Sequence, residues 1–293
     1  MADPLNPQAR EMADESMVRT LSAQADAIWP QEQPLFTRYD LPSDAYVLDA
    51  GCGTGEISMR LARMFDRALL LGVDVIDTHL ERARARCAEF GQRTRFEHRS
   101  IFELGLRDNT FDLVVCRHVL QAIPHPDRVI AELARVTKRG GWLHLIAEDY
   151  LMVNFEPRRL DPDDFWTRGP RQFGDAIGTD LRIGRRTYGI LRRLGFTHIT
   201  IDYVIVDPLR VPRETFAAMW EAWRDGFADT VSQHSSIPRE EFDAHFEDMI
   251  ATIRDPSGYG VRDRRPWLIV GCCITFCYHP AAPCLPNTPD SWF

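Results

Sequence analysis

The chain has no apolar run approaching the roughly 18 residues that a membrane-spanning helix needs, and Met1-Ala2-Asp3-Pro4 lacks the basic-then-apolar order of an export leader. A soluble, cytoplasmic protein with no membrane span is therefore expected. Cations are not in excess either: 35 Lys and Arg stand against 43 Asp and Glu, for a net charge of −8. Nucleic-acid affinity is built largely from clustered Lys and Arg on phosphates, so no nucleic-acid partner is expected. Cysteine is present but poorly arranged for a metal. Of seven, Cys272, Cys273, Cys277 and Cys284 crowd the C-terminal stretch, where C-C-x-x-x-C fits no common zinc spacing and has no matching second pair. No metal is expected. What remains, 293 residues of which 44% are apolar, is ample for a sizeable core.

One local pattern dominates. Val47-Leu48-Asp49-Ala50 reads as a buried strand, Gly51-Cys52-Gly53-Thr54-Gly55 as a turn, and Ile57, Met59, Leu61, Ala62 and Phe65 as the apolar face of a helix. Glycines there tolerate positive φ and let backbone N–H groups approach a ligand. A second strand, Ala68 to Val73, ends in Asp74, whose carboxylate is placed to accept hydrogen bonds from ribose hydroxyls. Dinucleotide sites require G-x-G-x-x-G, and here Glu56 follows Gly55 instead. A carboxylate at the helix start meets a pyrophosphate badly and suits a cationic cofactor.

The stretch Leu48-Asp49-Ala50-Gly51-Cys52-Gly53-Thr54-Gly55 resembles motif I of the class I S-adenosylmethionine-dependent methyltransferases, close to L-D-x-G-C-G-T-G. Phe111-Asp112-Leu113-Val114 through Arg135-Val136 and Gly140-Gly141 is similar to a block in small-molecule methyltransferases related to quinone-biosynthesis enzymes. These motifs cover about residues 45–147. The resemblance implies an α/β, doubly wound Rossmann-like sheet of seven strands, mostly parallel with the last antiparallel. It implies S-adenosyl-L-methionine as cofactor and S-adenosyl-L-homocysteine as product. The methyl acceptor would be an O, N or C nucleophile of a small, partly apolar metabolite. Carried onto this chain, the cofactor residues are Asp49, Gly51, Cys52, Gly53, Gly55, Asp74, Val75, Ser100, Ile101, Cys116 and Arg117. Ser100 stands where many relatives have Asp. After the fourth strand the chain reads Cys116-Arg117-His118-Val119 and not N/D-P-P-Y/F, which speaks against base methylation. A non-catalytic cofactor binder and a nicotinamide-dependent oxidoreductase are the alternatives; the latter would want a Tyr-x-x-x-Lys, which is missing.

The expected layout is an N-terminal helical cap over 1–40, with a helix ending at Trp29-Pro30, and a cofactor-binding core over 41–150. Within that core the pattern gives a helix over 77–90, strands over 94–99, 111–116 and 142–147, and a helix over 126–136 opened by Pro126. Residues 151–182, with Phe155, Phe165, Trp166 and Phe173, read as a lid or substrate insertion. The remaining sheet spans 183–278, with a helix over 183–194, strands over 197–206 and 267–278, and a helical insertion over 212–255 whose aromatic stripes are expected to be mostly core. An irregular tail follows over 279–293.

Methyl transfer from a sulfonium is an in-line displacement that chiefly needs alignment, and a base helps when the nucleophile carries a proton. His118, just past the fourth strand, is the candidate base. Glu148, Tyr150 and Trp166 are candidate substrate contacts. Arg182, Arg185 and Arg186 form either a solvated basic face or a contact to an acidic substrate.

Overall fold

The computed structural model describes residues 5–150, 153, 160–196 and 198–259. Five strands form one sheet: β1 (Tyr46–Ala50), β2 (Leu69–Asp74), β3 (Thr94–His98), β4 (Phe111–Arg117) and β5 (Thr137–Ile146). Their order is β3-β2-β1-β4-β5, and every neighbouring pair is parallel. Period-two alternation sorts the strands' side chains between two faces. Val47, Leu70, Leu113 and Val115 share one core with Ile57 and Leu61 of α3 (Glu56–Met64) and with Ala25 and Phe36 of the cap helix α2 (Glu15–Phe36). Leu48, Val73, Val114 and Cys116 share the other with α5 (Pro126–Val136) and α8 (Ile183–Arg193). Both faces are covered, as a parallel sheet requires. The chain order reverses between β1 and β4, so the crevice for a ligand lies at their carboxyl ends.

The helix expected over 77–90 is shorter, α4 (Asp77–Arg86), and continues as a tight turn over Ala88–Arg93. Strand β5 starts earlier than expected, directly off α5. Its pairing skips from Phe111↔Thr137 to Leu113↔Trp142. The Gly140-Gly141 pair is absorbed there as an irregularity: Gly140 has φ +79°, and a Cβ on Gly141 would lie 2.9 Å from the Asp112 carbonyl oxygen.

The cap is two helices, a short α1 (Ala9–Met12) and then α2, whose start is capped by Asp14 accepting from the Ser16 N–H at 2.8 Å. It does not stop at Pro30. Both Pro30 and Pro34 lie on the exposed face, where water can take the carbonyls that lose their partners, while Ile28, Glu32, Leu35 and Phe36 hold the buried face.

Helices α6 (Pro162–Trp166), α7 (Gln172–Ile177), α9 (Arg213–His234) and α10 (Arg239–Arg254) close a third core of Phe165, Trp166, Phe216, Trp220, Trp223, Phe227, Phe242 and Phe246. The strand expected over 197–206 is not a strand; Val206 alone makes a bridge. The Ile205 N–H and C=O are taken by the Gln31 side-chain amide, at 3.0 and 2.7 Å, and Asp202 pairs with Arg38 at 2.9 Å. The alternating segment is thus tied to the cap helix, and among the described residues it pairs with no strand of the sheet. Five strands stand among the described residues, where seven were expected. The expected strand over 267–278, the tail over 279–293, Phe155 and the four C-terminal cysteines lie outside them.

Candidate functional site

The turn after β1 is held by the end of β2: Gly51 and Cys52 N–H groups donate to the Val73 carbonyl at 2.8 and 3.0 Å. Gly51, Gly53 and Gly55 all have positive φ. At Gly51 a Cβ would lie 2.5 Å from Val119 Cγ2, and at Gly55 it would lie 2.9 Å from the Ala83 Cα of α4. Only glycine lets the turn pack this closely. Asp74 braces the same turn, Oδ2 accepting from Gly53 N–H at 2.8 Å and Oδ1 from Ile76 N–H at 3.0 Å. Each of its oxygens retains a further lone pair for a ligand.

A cleft of about 140 Å³ opens above this turn. Asp49, Gly51, Cys52, Gly53, Asp74, Val75, Ile101, Arg117 and His118 line it together, as do Met12, Leu21 and Gln24 of the cap. Gly55, Ser100 and Cys116 do not. Gly55 packs on α4, Cys116 is sealed within the sheet, and Ser100 Oγ accepts from Phe102 N–H. Glu56 lines the cleft but is not free to answer a cation alone, since it pairs with Arg86 at 2.7 Å.

Behind the cleft lies a buried polar cluster without a local sequence signal, because its hydrogen-bonded partners are 85 to 112 residues apart. Glu32 of α2 meets Arg117 Nε at 2.7 Å and His144 Nε2 at 2.9 Å, and Tyr39 OH meets His144 Nδ1 at 2.6 Å. Burial alone would raise the Glu32 pKa; the Arg117 charge and the His144 hydrogen bond outweigh it and hold the carboxyl at about 2. Arg117 Nη2 is buried with no partner. Asp49 shows the opposite balance: burial lifts it to about 6 although it accepts from Ser58 Oγ at 2.6 Å.

His118, in the left-handed region at φ +55°, places Nδ1 2.9 Å from Glu148 Oε1. Burial pushes the Glu148 carboxyl up, but His118, Tyr150 and Arg117 bring it below the usual range. The other ring nitrogen, His118 Nε2, is buried and has no hydrogen-bond partner. His118 also lines a second chamber of about 40 Å³ that adjoins the cleft. Tyr150, Phe173, Leu181, Trp223, Phe227 and Met17 form its apolar wall, and Gln8, Gln24 and Gln121 are its remaining polar groups. Among the described residues, no Lys, Arg, Asp or Glu lines it. Glu148 sits behind His118, and Trp166 lies farther out, stacked 5.5 Å from Tyr150. Arg185 pairs with Asp149 and Arg186 with Asp180, so neither faces the chamber.

Residues 47–141 match the family described as "Methyltransferase domain". This part of the chain is a methyltransferase domain. The chain is 35% identical over 149 residues to a probable methyltransferase, ltbC, of Aspergillus luteorubrus, covering 46% of this chain and 52% of that one. It is 37% identical over 145 residues to a phosphatidylethanolamine N-methyltransferase of Cereibacter sphaeroides, covering 48% and 66%. It thus spans less than two thirds of either relative. Beyond the methyltransferase domain, the fold also resembles the [4+2]-cyclase SpnF, with a TM-score of 0.54 and 24% identity over 88% of this chain and 85% of that one. A Haemonchus contortus phosphoethanolamine N-methyltransferase 2, in complex with S-adenosyl-L-methionine, gives 0.55 and 16% over 93% and 60%. Among the described residues, no group of three or more His, Cys, Asp or Glu is placed to hold a metal, and no helix is long and apolar enough to cross a membrane.

Proposed function

We propose that the chain transfers a methyl group from S-adenosyl-L-methionine to a hydroxyl oxygen of a small, uncharged acceptor, with His118 as the base. The residues present fit the cofactor. Asp74 has lone pairs left for ribose hydroxyls, Val75 and Ile101 offer apolar walls for an adenine, and the unpartnered Arg117 Nη2 suits the methionine carboxylate. The cofactor supplies an electrophilic methyl on a sulfonium.

The observation that carries the reading is His118 Nε2, buried, unpartnered and at the junction of cleft and chamber. With Nδ1–H donated to Glu148, Nε2 keeps its lone pair and can accept the proton of a bound hydroxyl as the oxygen forms its new bond to carbon. Glu148 then stabilises the imidazolium. Among the described residues the lining is uncharged, which argues against a phosphorylated acceptor, for which an Arg or Lys would be needed. The chamber's aromatic wall also excludes water from the transfer.

The test has two arms. S-adenosylhomocysteine should raise the melting temperature, and incubation of metabolite extracts with S-adenosylmethionine should give a product heavier by one methylene. His118→Asn should keep the thermal shift and lower kcat by about 10²- to 10⁴-fold. No thermal shift in the unaltered protein, or an unchanged kcat in the variant, would overturn the reading.

A further inference from the structure

Three cavities adjoin one another outward from the cleft, each sharing lining residues with the next. The chamber shares Tyr150 and Leu181 with a narrow passage of about 10 Å³ that is also lined by Trp166, Thr179 and Arg182. That passage shares Thr179, Asp180, Arg182 and Asp175 with an outer cavity of about 500 Å³. The outer cavity reaches solvent between Asp127 at the start of α5 and Arg186 and Arg193 of α8, all exposed. Met12 and Leu21 of the cap line the cleft on one side.

The passage also carries unmet polarity. Trp166 is 2% exposed and Thr179 7% exposed, and Trp166 Nε1 and Thr179 Oγ1 are both buried without a hydrogen-bond partner. Leaving such groups unpaired costs free energy that a ligand oxygen would recover.

We propose that the acceptor enters by this route and not through the cofactor cleft. It is then an elongated molecule, uncharged and methylated at the end that reaches His118, with a carbonyl or ether oxygen along its length for Trp166 Nε1–H and the Thr179 hydroxyl. Its far end lies in the outer cavity. Gly178, at φ +79° with open space where a Cβ would sit, ends α7 beside the passage. The proposal rests on the cofactor filling the cleft.

The experiment places a thiol in the chamber with Met17→Cys, on the buried face of α2, and follows its alkylation by N-ethylmaleimide with peptide mapping at position 17. S-adenosylhomocysteine binding is measured separately by calorimetry, so its absence would sink the cofactor reading and not be mistaken for a failed route. The alkylation rate should change less than threefold on saturation with S-adenosylhomocysteine. It should fall tenfold or more when Thr179→Trp blocks the passage, with the S-adenosylhomocysteine Kd unchanged. Arg182→Trp serves as a second block should Thr179→Trp not bind S-adenosylhomocysteine. Protection of tenfold or more by S-adenosylhomocysteine, or a rate indifferent to the block, would overturn the route.

Discussion

At the residue scale, the glycine turn carries the clearest physical requirement, and two glycines separate its causes. Gly55 has φ +78° and a Cβ there would press on the Ala83 backbone at 2.9 Å; Gly91 has φ +56° with nothing within 4 Å. Gly91→Ala therefore faces the left-handed conformation alone, at about 1 kcal/mol, whereas Gly55→Ala adds a backbone clash and should cost roughly 2–4 kcal/mol. Urea unfolding of the two variants checks this; equal losses would mean that α4 yields. The turn and Asp74 were legible in the sequence because their roles are local and glycine-specific. Glu32 was not: its partners Arg117 and His144 belong to other elements, and within its own helix it is one polar residue among many. Nor could a sequence show that Glu56 is answered by Arg86.

At the element scale, α5 was read to the residue because Pro126 opens it and Val129, Ile130, Leu133 and Val136 mark one face. The segment over 197–206 misled because alternation says which side chains are buried, not which backbone groups pair; here Gln31 supplies the pairing. Helix packing is the other thing periodicity leaves open. Helices α2 and α9 approach at Gly226, where a Cβ would lie 2.8 Å from Ser16 Oγ and 2.9 Å from Met17 Sδ. Since α2 also brings Leu21 and Gln24 to the cleft, Gly226→Val should push the cap outward. It should cost about 1–3 kcal/mol and weaken S-adenosylhomocysteine binding together, measured by denaturation and calorimetry. Lost stability with unchanged affinity would show that the cap does not form the cleft's working wall.

At the scale of the whole molecule, the Glu32 cluster ties the cap, β4 and β5 together beneath the cleft, and its charge state should set acid stability. The Glu32 carboxyl is held at about 2 in the folded protein against 4.5 as its ordinary value. The folded pKa is depressed, so the contribution is fully present above pH 4.5 and is lost as pH falls from there towards 2, because the unfolded chain takes up the proton first. Its size is on the order of 3 kcal/mol. His245, buried and lowered from 6.5 to about 4, works in the same direction but in an earlier window, between those two values. Asp49, raised from 3.8 to about 6, works against that loss as pH falls from about 6 to 3.8. The Glu32 and His245 contributions are separable by variant. Glu32→Gln leaves Arg117 buried without the carboxylate it is hydrogen-bonded to, so stability at neutral pH should drop by about 3–5 kcal/mol. Over pH 4.5 to 3 its remaining stability should decline less steeply than that of the unaltered protein, while the His245 contribution above pH 4.5 stays. Urea midpoints across that range read both. Parallel curves below pH 4.5 would mean that Glu32 is already protonated in the fold, and the charge that orients Arg117 towards the cleft would have to come from elsewhere.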